Sequence, residues 1–450
     1  MSEPHGEVMR VLPRREDILR ERDRSRIRQA RVRNSVLGLF ALLAGPGILV
    51  MLGENDGPSM LAYATTGAMY GLGFFLPFIA LTFAMAYVVQ EMVVRIGVAT
   101  GRGHAELILD RFGPAWGGFA IVDLAVGNLL TLVTEFVAIR AGAAYFGIPA
   151  PVAVVGAVVI VVGVACARRY GTWERIAMIL AAGNLLFVPA AIFAHPDPGA
   201  VARAFASWGP IPGGLTLGFL TLLLANIGAT VTPWMLFFQQ SAVVDKGLTR
   251  ADLGQARTDT AIGALVAAVV AIATVVATST LFAHHVAIER LASGADFATA
   301  LAPFVGTTGA ALFALGMIEA GLVAAMTISI SSAYGAGEVL RSGHSLNADF
   351  VKGGIFYATG SLSVVLAAGL VLIPHAPLLA ISITVNVIAT LLMAPALFFV
   401  LLLADDGEIM GRLKNDRRTN ALGGIVVAGI SLIGAFYAVL IVLPFFRGLG

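Results

Sequence analysis

From residue 36 onward the chain is a succession of apolar runs separated by short polar, Gly-, Pro- or Arg-containing connections. Each run is close to the ~20 residues that an α-helix needs to cross ~30 Å of hydrocarbon. The pattern predicts spans at about 36–66, 72–95, 117–145, 151–167, 175–195, 213–241, 258–284, 307–337, 351–373, 378–403 and 421–446. Eleven spans make an all-α polytopic membrane protein whose two termini face opposite sides.

Composition removes the soluble alternatives. Of 450 residues, 58% are hydrophobic and only 12% charged, about half the ~25% typical of soluble domains. Too few charges remain to cover a water-facing surface, so a soluble enzyme, a disordered protein and a nucleic-acid binder are excluded. The single cysteine, Cys166, cannot form an internal disulfide, a Cys-rich metal site or a CxxC pair. It stands in an apolar run and is expected to be a small hydrophobe.

The near-neutral total of +2 hides an asymmetry. Residues 1–35 form a basic tail with ten arginines between Arg10 and Arg33. No apolar stretch or small-residue cleavage site precedes them, so the segment is not expected to be a secretory signal. It is expected to be a cytoplasmic tail, either a charged helix near anionic headgroups or a solvated arm that fixes orientation. With the tail inside, 25 of the 29 Lys and Arg fall on inner segments, the bias of a positive-inside protein. Only Arg203, Arg290 and Arg447 lie outside, and Arg140 falls within the third span. The expected location is the inner membrane, multi-pass, with the N-terminus cytoplasmic and the C-terminus on the outer side.

Two spans are interrupted at depth. The first carries Gly53-Glu54-Asn55-Asp56-Gly57-Pro58-Ser59, the sixth Asn226-Ile227-Gly228-Ala229-Thr230-Val231-Thr232-Pro233-Trp234. Proline removes a backbone donor and frees carbonyl groups, and unpaired backbone is tolerated at membrane depth only where it is buried in protein or lines a cavity. Spans one and six hold equivalent places in two five-helix units, 36–212 and 213–403, followed by a loop and eleventh helix in 404–450. Five is odd, so the second unit is inverted, and paired interruptions in inverted repeats mark a transporter substrate site. Asp56 and Glu54 at that depth require a partner. A carboxylate with freed carbonyls and hydroxyls makes a hard, oxygen-rich site suited to Mg²⁺, Ca²⁺ or Mn²⁺.

These motifs resemble the NRAMP divalent-metal transporters. Gly45-Pro46-Gly47, Asp56-Gly57-Pro58-Ser59 and Gly67-Ala68-Met69-Tyr70-Gly71 are similar to that family's first helix. Arg95-Ile96-Gly97-Val98-Ala99-Thr100-Gly101 is similar to the end of its second, and Gly228-Ala229-Thr230-Val231-Thr232-Pro233 with Ser241-Ala242 to its sixth. The resemblance spans about residues 40–445 and implies a LeuT-like 5+5 inverted repeat plus one extra helix, with helices one and six broken around the metal. It maps the metal ligands onto Asp56, Ser59, the Ala229 carbonyl and Thr232. The chain departs from the family where Pro-Gly becomes Gly57-Pro58, Asn becomes Ser59, the methionine ligand becomes Thr232 and the following histidine becomes Trp234. In helix three Asp-x-x-Glu becomes Leu132-x-x-Glu135. That pattern, with the run Trp234–Gly247, resembles the NRAMP-related magnesium transporters and implies a site enlarged for a partly hydrated ion. Losing a soft thioether points the same way, as does the reluctance of Mg²⁺ to shed water; small Gly57 and Ser59 are expected to leave room for that water.

Further candidates around the cavity are Glu54, Asn55, Gly57, Trp234, Gln240, Asn386 (with Ser382 as its rival) and Glu135. Arg140 is expected to balance Glu135 or to reach the outer surface, and Glu319 to pair inside the bundle. His195, His284, His285 and His375 fall near outer ends of spans. The functional expectation is a transporter carrying Mg²⁺ and Mn²⁺ by alternating access, with metal as cargo, no cofactor, no nucleic-acid partner and no strict proton coupling. The alternatives are a proton-coupled Mn²⁺/Fe²⁺ symporter, in which Glu54 or Glu135 replaces the missing groups, and a transport-dead metal sensor. An intramembrane enzyme needs paired catalytic residues at depth, and the sequence offers none.

Overall fold

A computed structural model of the chain describes residues 44–447 except 210, 289, 290, 292 and 374–377, together with scattered positions between 18 and 33. The basic tail, the start of the first span and His375 thus lie largely or wholly outside the described residues.

Among the described residues every regular element is helical. The first span is split into α1 (Pro46–Glu54) and α2 (Gly57–Tyr70). Then come α3 (Phe75–Thr100), α4 (His104–Phe112), α5 (Pro114–Tyr145) and α6 (Ala150–Ala165). The fifth span comprises α7 (Tyr170–Ala181), a 3₁₀ turn at Ala182–Leu186 and α8 (Phe187–Phe193), followed by α9 (Pro198–Ser207). The sixth is α10 (Leu217–Gly228) and α11 (Pro233–Lys246). The chain ends with α12 (Leu253–Ala283), α13 (Gly294–Val339), α14 (Gly354–Val371), α15 (Leu378–Ala404), the short α16 (Gly407–Met410) and α17 (Arg417–Arg447).

Nine helical stretches among the described residues are long and apolar enough to cross a membrane. The two other expected spans are the split first one and α6, which has 16 residues. α13 starts well before residue 307, yet its backbone leaves the helical region at Gly306 (φ 72°, ψ 169°), three residues after Pro303. The expected start therefore coincides with a kink. Helices α4 and α9 lie in connections where no span is expected. The Asp197 side chain caps α9 by accepting from the N–H groups of Gly199 and Ala200, and Pro198 occupies the first turn, where its missing N–H costs nothing.

Small residues bring the central helices together. A Cβ at Gly142 of α5 would lie 2.5 Å from the Ala314 carbonyl of α13, and one at Gly321 of α13 would lie 2.7 Å from the Glu135 carbonyl of α5. Without a hydrophobic force between helices in lipid, such close backbone packing supplies the attraction.

The connections expected on the cytoplasmic side all meet at one end of the bundle. Arg95 donates to the Leu413 carbonyl and to Asn415, Arg257 pairs with Glu91 at 2.7 Å, and Arg111 pairs with Asp406 at 2.7 Å. Asp110 bridges Arg102 and Arg341, and the Tyr170 N–H donates to Asn347. At this end Lys246 Nζ joins Glu174 (2.9 Å) to the Ala44 carbonyl (2.7 Å). Asp259 of α12 accepts from the N–H groups of Gly45 (3.1 Å) and Gly47 (2.7 Å), so a carboxylate holds the N-terminus of α1, where the helix dipole favours negative charge. Arg24 of the tail donates to the Gly247 carbonyl just after α11.

Candidate metal site

Both interruptions restart from an extended polar N-cap with proline in the first turn. Asp56 is the N-cap of α2 in extended conformation (φ −82°, ψ 178°), with a proline in the first turn; its carboxylate accepts from the Ser59 N–H at 2.9 Å. Thr232 is the N-cap of α11 (φ −126°, ψ 157°), again with proline in the first turn. A polar cap followed by proline restarts a helix, so each motif stops one half-helix and begins the next. The C-terminal ends of α1 and α10 carry partial negative charge, which favours a cation between them.

The breaks touch. Thr232 Oγ1 donates to Glu54 Oε2 at 2.7 Å, and the Trp234 ring reaches Gly53, where a Cβ would lie 3.2 Å from its Cη2. The indole Nε1 lies beside the Glu54 carboxylate, outside hydrogen-bond geometry. Glu135 Oε2 accepts from the Gly57 N–H at 2.9 Å. Glu54, Asp56 and Glu135 thus form one electrostatically interacting group of acids, and each is at most 1% exposed. Among the described residues no Lys, Arg or His is bonded to any of them. Burying such charge uncompensated costs several kcal/mol per ion. Glu54 Oε1, Glu135 Oε1, Asn55 Oδ1 and Ser59 Oγ are buried without hydrogen-bond partners. Among the described residues no three or more His, Cys, Asp or Glu side chains converge as a metal cluster, so an ion held here must draw on hydroxyls, carbonyls or water as well.

The structure gathers Glu54, Asn55, Asp56, Gly57, Ser59, Glu135, Thr232 and Trp234 at the breaks, all buried. The Asn55 amide donates to the Ala267 carbonyl of α12 at 2.9 Å. The Asn386 carbonyl of α15 lies against the other break, 2.0 Å from where a Cβ at Gly228 would sit, and its Nδ2 has no partner. Ser382 is also buried.

Two expectations change, for Gly57 and Gln240, and two open ones, for Arg140 and Glu319, are resolved. Gly57 makes room for α5 rather than for water, since a Cβ there would lie 2.2 Å from the Ala138 Cβ. Gln240 is committed at the basic end of the bundle, accepting or donating with His104 Nδ1 at 3.0 Å and donating to the Arg102 carbonyl at 2.9 Å. Beside it a cavity of about 250 Å³ opens between Ser241, Asp245, Glu338 and His344 and includes none of the break residues. Arg140 does not meet Glu135; it donates to the Val371 carbonyl at the end of α14, 2.8 Å away. Glu319 accepts from the Asn184 amide at 3.1 and 3.2 Å, in the 3₁₀ turn of the fifth span.

Polar residues beyond the expected site set also bond at the breaks. The Tyr63 hydroxyl donates to the Ala229 carbonyl at 2.8 Å. Thr230 lies 3.4 Å from the same hydroxyl and 3.0 Å from Thr82, and Asn226 donates to Thr66 at 2.7 Å. Tyr63 is seven residues beyond Asp56 and Thr66 three beyond Tyr63, spacings that keep neighbours on one helix face; their polarity in an apolar run was the available signal.

Nine apolar stretches among the described residues, two facing interruptions and buried acids at their junction define a multi-pass membrane transporter of the LeuT-like inverted-repeat class, not an enzyme. A family model described as Nramp, natural resistance-associated macrophage protein-like, matches residues 47–440, and the chain belongs to that family. It is 26% identical over 405 residues to a divalent metal cation transporter MntH of Yersinia pestis, covering 88% of this chain and 94% of the relative. A MntH of Ralstonia nicotianae is 26% identical over 407 residues, covering 86% and 88%. The fold is similar to that of an Eremococcus coleocola manganese transporter (TM-score 0.70, 20% identity, 89% of this chain and 86% of that one). A Na⁺-coupled sialic acid symporter shares it more distantly (TM-score 0.52, 13% identity, 88% and 89%).

Proposed function

We propose that the protein transports divalent metal cations, Mg²⁺ and Mn²⁺ foremost, by alternating access and without strict proton coupling. The observation that carries this is the contact of the two interrupted helices at Glu54 and Thr232, with buried Asp56 and Glu135 beside it, bonded to no Lys, Arg or His among the described residues. The printed functions of the MntH relatives and of the manganese transporter support a divalent cation as cargo. The Mg²⁺ preference rests on the donor chemistry. Asp56, Ser59, Thr232 and the Ala229 carbonyl are hard oxygen donors, which favour Mg²⁺, Ca²⁺ and Mn²⁺. The nearby thioether of Met235 faces the Thr232 N–H at 3.5 Å.

In this reading Asp56 supplies charge and the main ligand, Ser59, Thr232 and the Ala229 carbonyl contribute oxygens directly or through water, and Asn386 and Trp234 wall the cavity. The protein sits in the inner membrane with its basic end cytoplasmic and its C-terminus outside, and 36–212 and 213–403 are the two repeats, with 404–450 appended. Separation of Lys246 from Glu174 and of Asp259 from α1 would open the cytoplasmic exit. A proton-coupled Mn²⁺/Fe²⁺ symporter is the second reading, favoured by Glu54 and Glu135 lying against the Asp56 break.

Proteoliposomes loaded with a Mg²⁺-sensitive dye separate the readings. Mg²⁺ entry that is unchanged when the proton gradient is reversed or collapsed is expected. Entry that stops without the gradient, with acidification tracking metal flux, selects the symporter. Binding of Mg²⁺ or Mn²⁺ with no flux of either selects a sensor.

A further inference from the structure

The carbonyls freed where α10 ends are the backbone oxygens that the sixth span can offer a cation. The Ala229 carbonyl is turned toward α2, and the bond it accepts there from Tyr63 marks that direction. Tyr63 is fully buried and stands two turns beyond Asp56. Its ring is held on the α2 side, while Thr230 is held by the Asn226 carbonyl at 2.8 Å and by Thr82 at 3.0 Å. The carbonyl therefore already accepts a hydrogen bond from α2, the helix that Asp56 caps.

We propose that Tyr63 is a specificity-determining residue: by occupying the Ala229 carbonyl it withholds a direct backbone ligand and leaves the ion to keep its water. The inference rests on the metal-site reading above. A carbonyl that is already hydrogen-bonded is a poorer direct ligand, and the phenol oxygen in its place presents lone pairs to which a coordinated water can donate. Mg²⁺ dehydrates reluctantly and holds several waters, whereas Ca²⁺ accepts carbonyl oxygens readily and in flexible numbers. A site that withholds a carbonyl thus favours Mg²⁺ over Ca²⁺, a discrimination that charge alone does not provide.

The test is calorimetric binding of Mg²⁺, Mn²⁺ and Ca²⁺ to the purified full chain, with competitive flux in proteoliposomes, for the wild type, Tyr63→Phe and Thr82→Val. Tyr63→Phe removes only the hydroxyl and frees the carbonyl. The expected result is a gain of about tenfold in the Ca²⁺/Mg²⁺ affinity ratio, equivalent to about 1.4 kcal/mol, with Thr82→Val leaving the ratio unchanged. An unchanged ratio in folded Tyr63→Phe overturns the inference, as does equal weakening of all three ions, which would make the bond a tie between helices. If Tyr63→Phe does not fold, pulsed electron resonance on wild-type protein with bound Mn²⁺ in ¹⁷O-water decides: several coordinated waters support the inference, and one or none overturns it. Wild-type protein that binds no divalent cation overturns the metal-site reading and this inference with it, an outcome distinct from binding with an unaltered ratio.

Discussion

The Thr232 hydroxyl donates to the Glu54 carboxylate across 2.7 Å, joining two helix interruptions 178 residues apart in the chain. A neutral threonine is the donor, so the bond leaves the negative charge in place for cargo. Thr232→Met removes the donor and adds a soft thioether, which favours Mn²⁺ and Cd²⁺ over Mg²⁺. Competitive uptake should show Mg²⁺ losing to Mn²⁺ by about tenfold or more, a shift of about 1.4 kcal/mol.

Asp56 serves both as helix cap and as buried charge. Asp56→Asn keeps a capping oxygen, so the fold should persist, while divalent uptake and calorimetric binding should both disappear. Asp56→Ala should in addition lose about 1 kcal/mol of stability with the cap, seen as a lower unfolding temperature in detergent. Uptake that survives Asp56→Asn would move the site elsewhere.

Gly57→Ala drives a methyl group into Ala138. Overpacking of this kind costs about 1–3 kcal/mol, and the N–H bond to Glu135 would lengthen with the displaced helix. Thermal unfolding of Gly57→Ala, Ala138→Gly and the double variant should show partial rescue in the double. Equal losses that simply add would show that the two residues do not contend for one space.

Asp259 and Lys246 hold the N-terminal end of α1. Asp259→Ala leaves the Gly45 and Gly47 N–H groups without their carboxylate, and Lys246→Ala releases both Glu174 and Ala44. In a Cys166→Ala background, a cysteine placed at Ala44 should be modified by a water-soluble thiol reagent several-fold faster in either variant. An unchanged rate would show that these bonds do not keep that end closed.

His104, in the connection after α3, is held by burial to a pKa of about 4, below the ~6.5 of a free imidazole. The unfolded chain therefore takes up a proton at higher pH than the folded one. The stabilisation from neutral His104 is complete above ~6.5 and is lost as pH falls toward 4. Between pH 7 and 5 the wild type should lose more thermal stability than His104→Asn, and equal slopes would contradict the shift.

The order of polar and apolar residues determined the membrane class, the positions of the spans and both interruptions. These are local properties: a helix needs ~20 apolar residues to cross lipid, and Asp56 and Thr232 followed by proline restart a helix whatever surrounds them. The basic residues likewise marked one end, because each connection carries its own charge. Tertiary structure decided what meets what. Glu319 meets Asn184, Arg140 meets the Val371 carbonyl, Gln240 leaves the breaks for His104, and the smallness of Gly57 is taken up by α5. It also decided that Tyr63 occupies the Ala229 carbonyl, 166 residues away. None of these pairings is local, because each depends on which faces of distant helices are brought within hydrogen-bond reach when small residues let the bundle close.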